Sequence, residues 1–484
     1  MSTTPKRTTR VGAAVRGVLG TTIAVPLLFS AMPAAAQSQQ QQMQELRQQI
    51  QELQGRFNDL QAQQQRTEQR AEQAEQAAAE TSASDDDASG FKVGNTTIEL
   101  TGYIKADAVY GFEDDYGASL GPSDAIGTRL AEGTDSPGDE TLGATVKQTR
   151  LKLATTTPTA LGDLGGYIEM DFYGRGDFGF DTGPQPRVRR AYLTLGNWLI
   201  GRDWSTFSDF NYGTMLNFYG PQAQLFERQA QVRYTFDLSE DSSLDVALEA
   251  PQGQGFFGPD DNNVANVGFG STADSNAIDD TDQPLPDFTF RYKAAPTDSF
   301  SFQFAGVARK LQGDVLSETV DADGNTVASY GFDSGEESTF AWGLDAGASW
   351  SLPTGTTLMA TVSGGEGIAK YIYAPAGAPD GYVTSDGDLE PIRQWGFIGT
   401  ISQDLAEKWT TNLVYGQAYS EDPDDAAFDT GDLHDESSSL AVNLLYTPVD
   451  PFTVGIEYNH VDYEQQNGLD ADADTVQASA IYNF

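Results

Sequence analysis

Basic side chains recur through one part of this chain at spacings that suit anion coordination. Lys105, Arg150 with Lys152, Arg190, Arg202, Arg233, and Arg291 with Lys293 each sit on the polar side of a segment that alternates apolar and polar residues. Arg228 lies close to them in the chain, one position out of phase. A guanidinium offers a fixed fork for two carboxylate oxygens, and several in sequence give a small anion successive resting places. The competing reading is that Glu169, Asp171 and Asp203 pair with these arginines as wall ion pairs. The two readings are compatible, because a partly neutralised ladder keeps a net positive potential. Other chemistry is thinly represented. The histidines are His434 and His460, without a serine motif or metal-ligand spacing, so neither a hydrolase nor a metalloenzyme is expected. Asp321-Ala322-Asp323-Gly324-Asn325 and Asp470-Ala471-Asp472-Ala473-Asp474 resemble fragments of calcium loops but lack the rest of the twelve-residue pattern. They read as acidic turns, and no cofactor is implied.

Composition limits what can position these residues. The 484 residues include no cysteine and carry a formal net charge of −43, with 11 % aromatics and 50 glycines. Mean hydropathy is −0.42. That charge argues against nucleic acid as a partner. No apolar run reaches the ~20 residues of a membrane-spanning helix. The frequency of aromatic and β-branched residues after residue 90 argues against disorder.

The N-terminus reads as a secretory signal over residues 1–36. Lys6, Arg7, Arg10 and Arg16 are its basic region, Val18 to Phe29 its apolar stretch, and Ala34-Ala35-Ala36 a small-residue cleavage site. Within residues 37–81, Met43, Leu46, Ile50, Leu53, Phe57 and Leu60 follow the three–four spacing of a heptad seam. A coiled coil needs partner chains, so an oligomer is expected; a single solvated helix is the plainer alternative. Residues 82–95, with Asp85-Asp86-Asp87, read as a flexible acidic linker.

From residue 96 the period becomes two. Ile98, Leu100, Ile104, Ala106 and Ala108 alternate with Glu99, Thr101, Tyr103, Lys105 and Asp107. Sixteen candidate strands follow, near 96–111, 144–156, 164–174, 186–196, 197–203, 228–238, 243–250, 286–294, 298–310, 338–352, 356–365, 391–404, 408–420, 436–449, 451–463 and 473–484. Their connections alternate short and long, the asymmetry of outer-membrane barrels. The expected fold is therefore all-β: a 16-stranded antiparallel transmembrane barrel over 96–484, preceded by the coiled coil. An even strand number would leave both barrel ends, and the coiled coil, in the periplasm.

Two details agree. Trp198, Phe300, Trp350, Trp409 and Phe452 all fall beside expected short turns, where amphipathic rings would form an interfacial girdle. The last strand alternates Val476, Ala478, Ala480, Tyr482 and Phe484 against Gln477, Ser479 and Asn483. A terminal aromatic after such alternation looks like the signal read by outer-membrane assembly machinery. The third long connection, 204–227, is rich in aromatics and carries only Asp209 and Glu227 as acids, unlike the other long loops. That composition predicts a loop packed inside the pore.

With this layout the sequence resembles the DcaP-like trimeric outer-membrane porins. The resemblance is carried by Gly102-Tyr103-Ile104-Lys105-Ala106-Asp107, by Arg150-Leu151-Lys152-Leu153, by Gly165 to Phe172, and most strongly by Arg189 to Phe207. It implies a homotrimer in the outer membrane of a Gram-negative bacterium, in contact with lipid and lipopolysaccharide, that takes up dicarboxylates and aromatic carboxylates. The expectation is a porin passing small organic anions along Lys105, Arg150, Lys152, Arg190, Arg202, Arg228 and Arg233. The alternatives are a general porin with cation preference set by its acidic loops, or a mainly structural envelope spacer.

Overall fold

The computed structural model describes residues 90–112, 140–174, 184–251, 285–314, 317–320, 326–329, 336–373, 379–384, 388–423, 425–426, 431 and 433–484. The expected signal peptide, the coiled coil and Asp321 to Asn325 lie outside them.

The alternating segments form sixteen wall strands: β1 Thr96–Gly111, β2 Thr141–Thr145 resuming at Arg150–Thr159, β3 Gly162–Asp171, β4 Arg187–Leu195, β5 Trp198–Trp204, β6 Arg228–Ser239, β7 Ser242–Glu249 and β8 Asp287–Thr297. They continue as β9 Phe300–Asp314, β10 Glu336–Ser351, β11 Thr356–Glu366, β12 Arg393–Ala406, β13 Trp409–Ser420, β14 His434–Val449, β15 Phe452–Gln465 and β16 Asp470–Asn483. Each pairs antiparallel with its neighbours in sequence, and β1 pairs with β16 to close the barrel. Among the described residues no helix is long and apolar enough to cross a membrane. Closure matters because an unpaired backbone group in hydrocarbon costs several kcal/mol.

The seam is sealed by the last residue. Gly102 N–H donates to Phe484 O at 3.0 Å and Phe484 N–H donates to Gly102 O at 3.1 Å. Gly102 sits at φ +150°, and a Cβ there would lie 2.1 Å from Arg150 O. Only glycine lets β1 turn between β2 and the chain end at this point.

Burial is inverted relative to a water-soluble protein. Ile104, Leu193, Ile200, Val232, Leu248, Val362, Ile401 and Ile456 are exposed on the outer face, while Lys105, Glu169, Asp245, Asp345 and Glu457 are buried within. The girdle residues pair between neighbouring strands at the end of the barrel that carries the short turns: Phe300 faces Trp350, and Trp409 stacks on Tyr446 at 4.4 Å. Trp198 meets Tyr234 edge-on at 4.8 Å.

Three local expectations change. Residues 91–93, placed in the linker, form a strand hairpinned onto β1, with Phe91 opposite Ile98. The acidic run stops before Phe91, and Gly94 at φ +65° supplies the turn. β2 is interrupted at Val146 to Thr149, which brings Gln148 onto Lys105. Asp470 to Asp474 is the extended start of β16 and not a turn, because these acids pair opposite Glu464, Asp462 and His460 on β15.

Candidate pore constriction and its charged wall

The connection after β5 runs inside the barrel. Phe207, Leu216, Tyr219 and Leu225 are buried there. Its tip is held by the far wall. Glu457 on β15 accepts from the backbone N–H of Leu216 and of Asn217, each at 2.7 Å, and from Asn443 Nδ2 at 2.9 Å. Ser439 Oγ accepts Gln222 N–H at 2.8 Å, and Asn443 Nδ2 donates to Thr214 O at 2.6 Å. The strands β10–β15 thus offer this loop neutral amides and hydroxyls together with the buried acids Asp345 and Glu457. Among the described residues their inner face carries no lysine or arginine.

A second loop also turns inward, which the sequence reading did not anticipate. Ile368, Ala369, Tyr371 and Ile372, after β11, are buried. Their backbone joins the third loop: Phe226 N–H donates to Tyr371 O at 2.9 Å, Ala223 N–H to Tyr373 O at 3.0 Å, and Tyr373 N–H to Gln224 O at 3.0 Å. The foundation is a buried ion network. Arg309 Nε lies 3.2 Å from Asp287 Oδ2 and Arg309 Nη1 2.9 Å from Asp380 Oδ2. Lys370 Nζ lies 2.8 Å from Asp287 Oδ2. The legible signal was Gly367-Ile368-Ala369-Lys370-Tyr371-Ile372-Tyr373, an apolar run too hydrophobic for an external loop.

The other wall is basic. Register with neighbouring inward residues puts Lys105, Arg150, Lys152, Arg190, Arg233, Arg291 and Lys293 on the lumenal face. Five guanidiniums share three carboxylates. Glu169 meets Arg150 at 3.6 Å, Arg189 at 2.9 Å and Arg190 at 3.5 Å. Asp171 meets Arg187 at 2.6 Å and Arg189 at 3.0 Å. Asp203 meets Arg190 at 2.6 Å and Arg233 at 3.2 Å. Lys152 stands opposite Glu169 in the ladder. Farther round, Arg291 and Lys293 share Asp245, at 2.9 and 3.8 Å.

Two expected members differ in role. Arg202 pairs with Ala191 and Ala230, in phase with the outward Leu193, Ile200 and Val232. Strand parity therefore gives the lumen Asp203, and Arg202 instead donates to Arg189 O at 3.4 Å. Lys105 does face inward, yet it is buried beneath the third loop, donating to Leu216 O at 2.5 Å and to Gln148, beside Asp107 at 3.3 Å. Arg228 is buried against the loop with its guanidinium 4.7 Å from the Trp204 ring centroid.

Arg187 and Arg189 escaped the sequence reading. A register shift opposite Glu169 and Met170 inserts one extra residue in β4, so Arg189 and Arg190 both reach the inner side. Arg309, on the inner face of β9 among Val307 and Leu311, was also missed.

Between the basic wall and the third loop lies a cavity of about 400 Å³ lined by Tyr103, Arg150, Arg189, Trp204, Phe210, Tyr212, Phe218 and Phe226. Arg189 lies 5.7 Å from the Trp204 ring centroid, on a tryptophan that Arg228 also stacks against. The space offers cationic forks for an anion and aromatic faces for an apolar body. Of possible metal ligands, His460, Asp472 and Asp474 cluster on β15 and β16, with ligand atoms within 4.8 Å of one another. Both ring nitrogens of His460 already face carboxylates, Asp474 at 3.0 Å and Asp462 at 3.1 Å.

Comparison with known proteins agrees with this architecture. Residues 31–268 match the model of the DcaP outer membrane protein family. The outer membrane channel DcaP of Acinetobacter baumannii superposes with a TM-score of 0.63 at 21 % identity, covering 82 % of this chain and 100 % of that one. OmpT of Vibrio cholerae gives 0.47 at 11 % identity over 81 % of this chain and 99 % of its own. An anion-selective porin from Comamonas acidovorans gives 0.46 at 12 %, over 80 % and 100 %. No curated protein matches the sequence. Residues 31–268 are thus similar to the DcaP outer membrane protein family, and the described residues have the closed sixteen-stranded barrel fold of a solved DcaP channel.

Proposed function

We propose that the protein passes small organic anions by passive diffusion, chiefly dicarboxylates or aromatic carboxylates. The observation that carries this reading is the excess of guanidinium over carboxylate on β2–β6. Arg150, Arg187, Arg189, Arg190 and Arg233 share Glu169, Asp171 and Asp203, beside an aromatic cavity. Pairing holds the side chains in place, and the surplus charge leaves an attractive potential for an anion. The rings of Trp204, Phe210 and Phe226 favour a substrate with a flat apolar part.

A homotrimer, with residues 37–81 as a periplasmic coiled coil after removal of 1–36, is the assembly this reading adopts. Contact with lipopolysaccharide and recognition of the last strand by assembly machinery belong to it. A cation-favouring porin is the second reading, favoured by the acids Asp237, Glu240 and Asp241 at one cavity mouth. A liposome swelling series across acids, sugars and amines separates them: anionic solutes entering faster than cationic ones of equal size support the first, and the reverse order overturns it.

A further inference from the structure

The third loop begins with a contact between two acids. Asp209, the loop's first acid, is buried against the wall. Its Oδ1 accepts Asn211 N–H at 2.8 Å and its Oδ2 accepts the Thr361 hydroxyl on β11 at 3.2 Å. The Asp345 carboxyl on β10 lies beside it: Gln303 Nε2 donates both to Asp345 and, at 3.4 Å, to the carbonyl of Ser208, the residue before Asp209. Asp345 Oδ2 accepts from Gln303 on β9 at 3.1 Å, while its buried Oδ1 meets no N–H or O–H donor. The site is shaped for Asp209: a Cβ on Gly347 would lie 2.2 Å from Asp209 Oδ2.

The surrounding charges do not neutralise the pair. On β8, Arg291 and Lys293 face this region, but both are engaged by Asp245 of β7. Gln303 and Thr361 are neutral. Two buried carboxyl groups in contact cannot both ionise cheaply, so a proton between them is the natural glue. Burial pushes the Asp209 carboxyl above the usual carboxylate range. For an acid raised in this way the contact is intact at lower pH and is lost as pH rises through the pair's own titration.

We propose that the Asp209–Asp345 pair is a proton-operated seat for the base of the third loop, making the channel's aperture and charge preference pH-dependent. With the proton lost, the two carboxylates repel. Asp209 leaves Gly347 for the adjoining cavity, which Lys293, Asp237 and Glu240 also line. That adds negative charge beside Lys293 and disfavours anions on the alkaline side. The tip of the loop stays anchored, because its bonds to Glu457 and Ser439 involve neither acid of the pair.

The inference rests on the protein being a channel, and its test separates the two readings. Single-channel conductance and reversal potential are recorded in planar bilayers from mildly acidic to alkaline pH, for the wild type, Asp345→Asn and Asp209→Asn. An amide at either position donates the hydrogen bond without needing a proton. The expected result is a one-proton transition in the wild type towards cation preference with rising pH, and its loss in both variants. If one variant fails to give folded barrels, the other decides. A wild type without a transition, or variants that titrate as the wild type does, overturns the proposal. So does a transition that calcium or a chelator controls, since a divalent cation would then be the occupant. A cation preference already present at acidic pH would sink the transport reading while leaving a variant-sensitive transition as support for the seat.

Discussion

Two ion networks in this barrel use the same side-chain chemistry and differ in water. On β2–β6 Arg150, Arg187, Arg190 and Arg233 keep 19, 20, 21 and 16 % of their side chains exposed, with Arg189 buried among them at 3 %. Around β8 and β9 the network is sealed, with Arg309 and Asp287 each 1 % exposed. A charge that keeps contact with water can exchange its partner for a passing anion. A charge without water is bound to the partner it folded with, and separating the two is costly. The first network is accordingly suited to conduction and the second to holding the inward loop after β11 in place.

The largest expected effect breaks the sealed network. Asp287→Ala takes from Arg309 and Lys370 the carboxylate they share, leaving Asp380 on Arg309. Loss of about 3–5 kcal/mol is expected for uncompensated buried charges. The readout is a clear fall in the temperature at which the folded barrel unfolds in detergent on a gel, with ion preference less affected than stability. If ion preference collapses and stability holds, the two networks do not divide as stated.

The next effect probes the wet network, and Arg190 and Arg202 are its natural pair. Arg190→Ala removes the ligand shared by Asp203 and Glu169, and Arg202→Ala removes a residue outside the lumenal phase. Arg190→Ala should cut the anion-to-cation permeability ratio several-fold, about 1 kcal/mol of the passage barrier. Arg202→Ala should change it less. Equal effects would return Arg202 to the ladder. The smallest effect is a control: Arg393 pairs with Glu366 and Glu421 on the outside, 61 % exposed, so Arg393→Ala should leave unfolding temperature and ion preference unchanged.

Much of this could be read in the sequence, for a physical reason. A wall strand between lipid and water must alternate, and all sixteen expected strands have counterparts. The third loop's aromatics declared its buried setting. Reading failed where parity is locally broken or where contact is long-range. The bulge in β4 hid Arg189, since an extra residue is invisible to a period of two. Arg202 was assigned to the lumen although Ile200, two residues earlier, points outward. The meeting of Asp209 with Asp345, and of Lys370 with Asp287, joins residues 136 and 83 positions apart in the chain, which no local pattern encodes.

The most direct test of the central claim is the reversal potential of the purified protein in a planar bilayer under a potassium chloride gradient at neutral pH, measured beside Arg189→Ala/Arg190→Ala. The account predicts chloride preference in the wild type and a shift towards potassium in the double variant. Potassium preference in the wild type that the double variant leaves unchanged would contradict it.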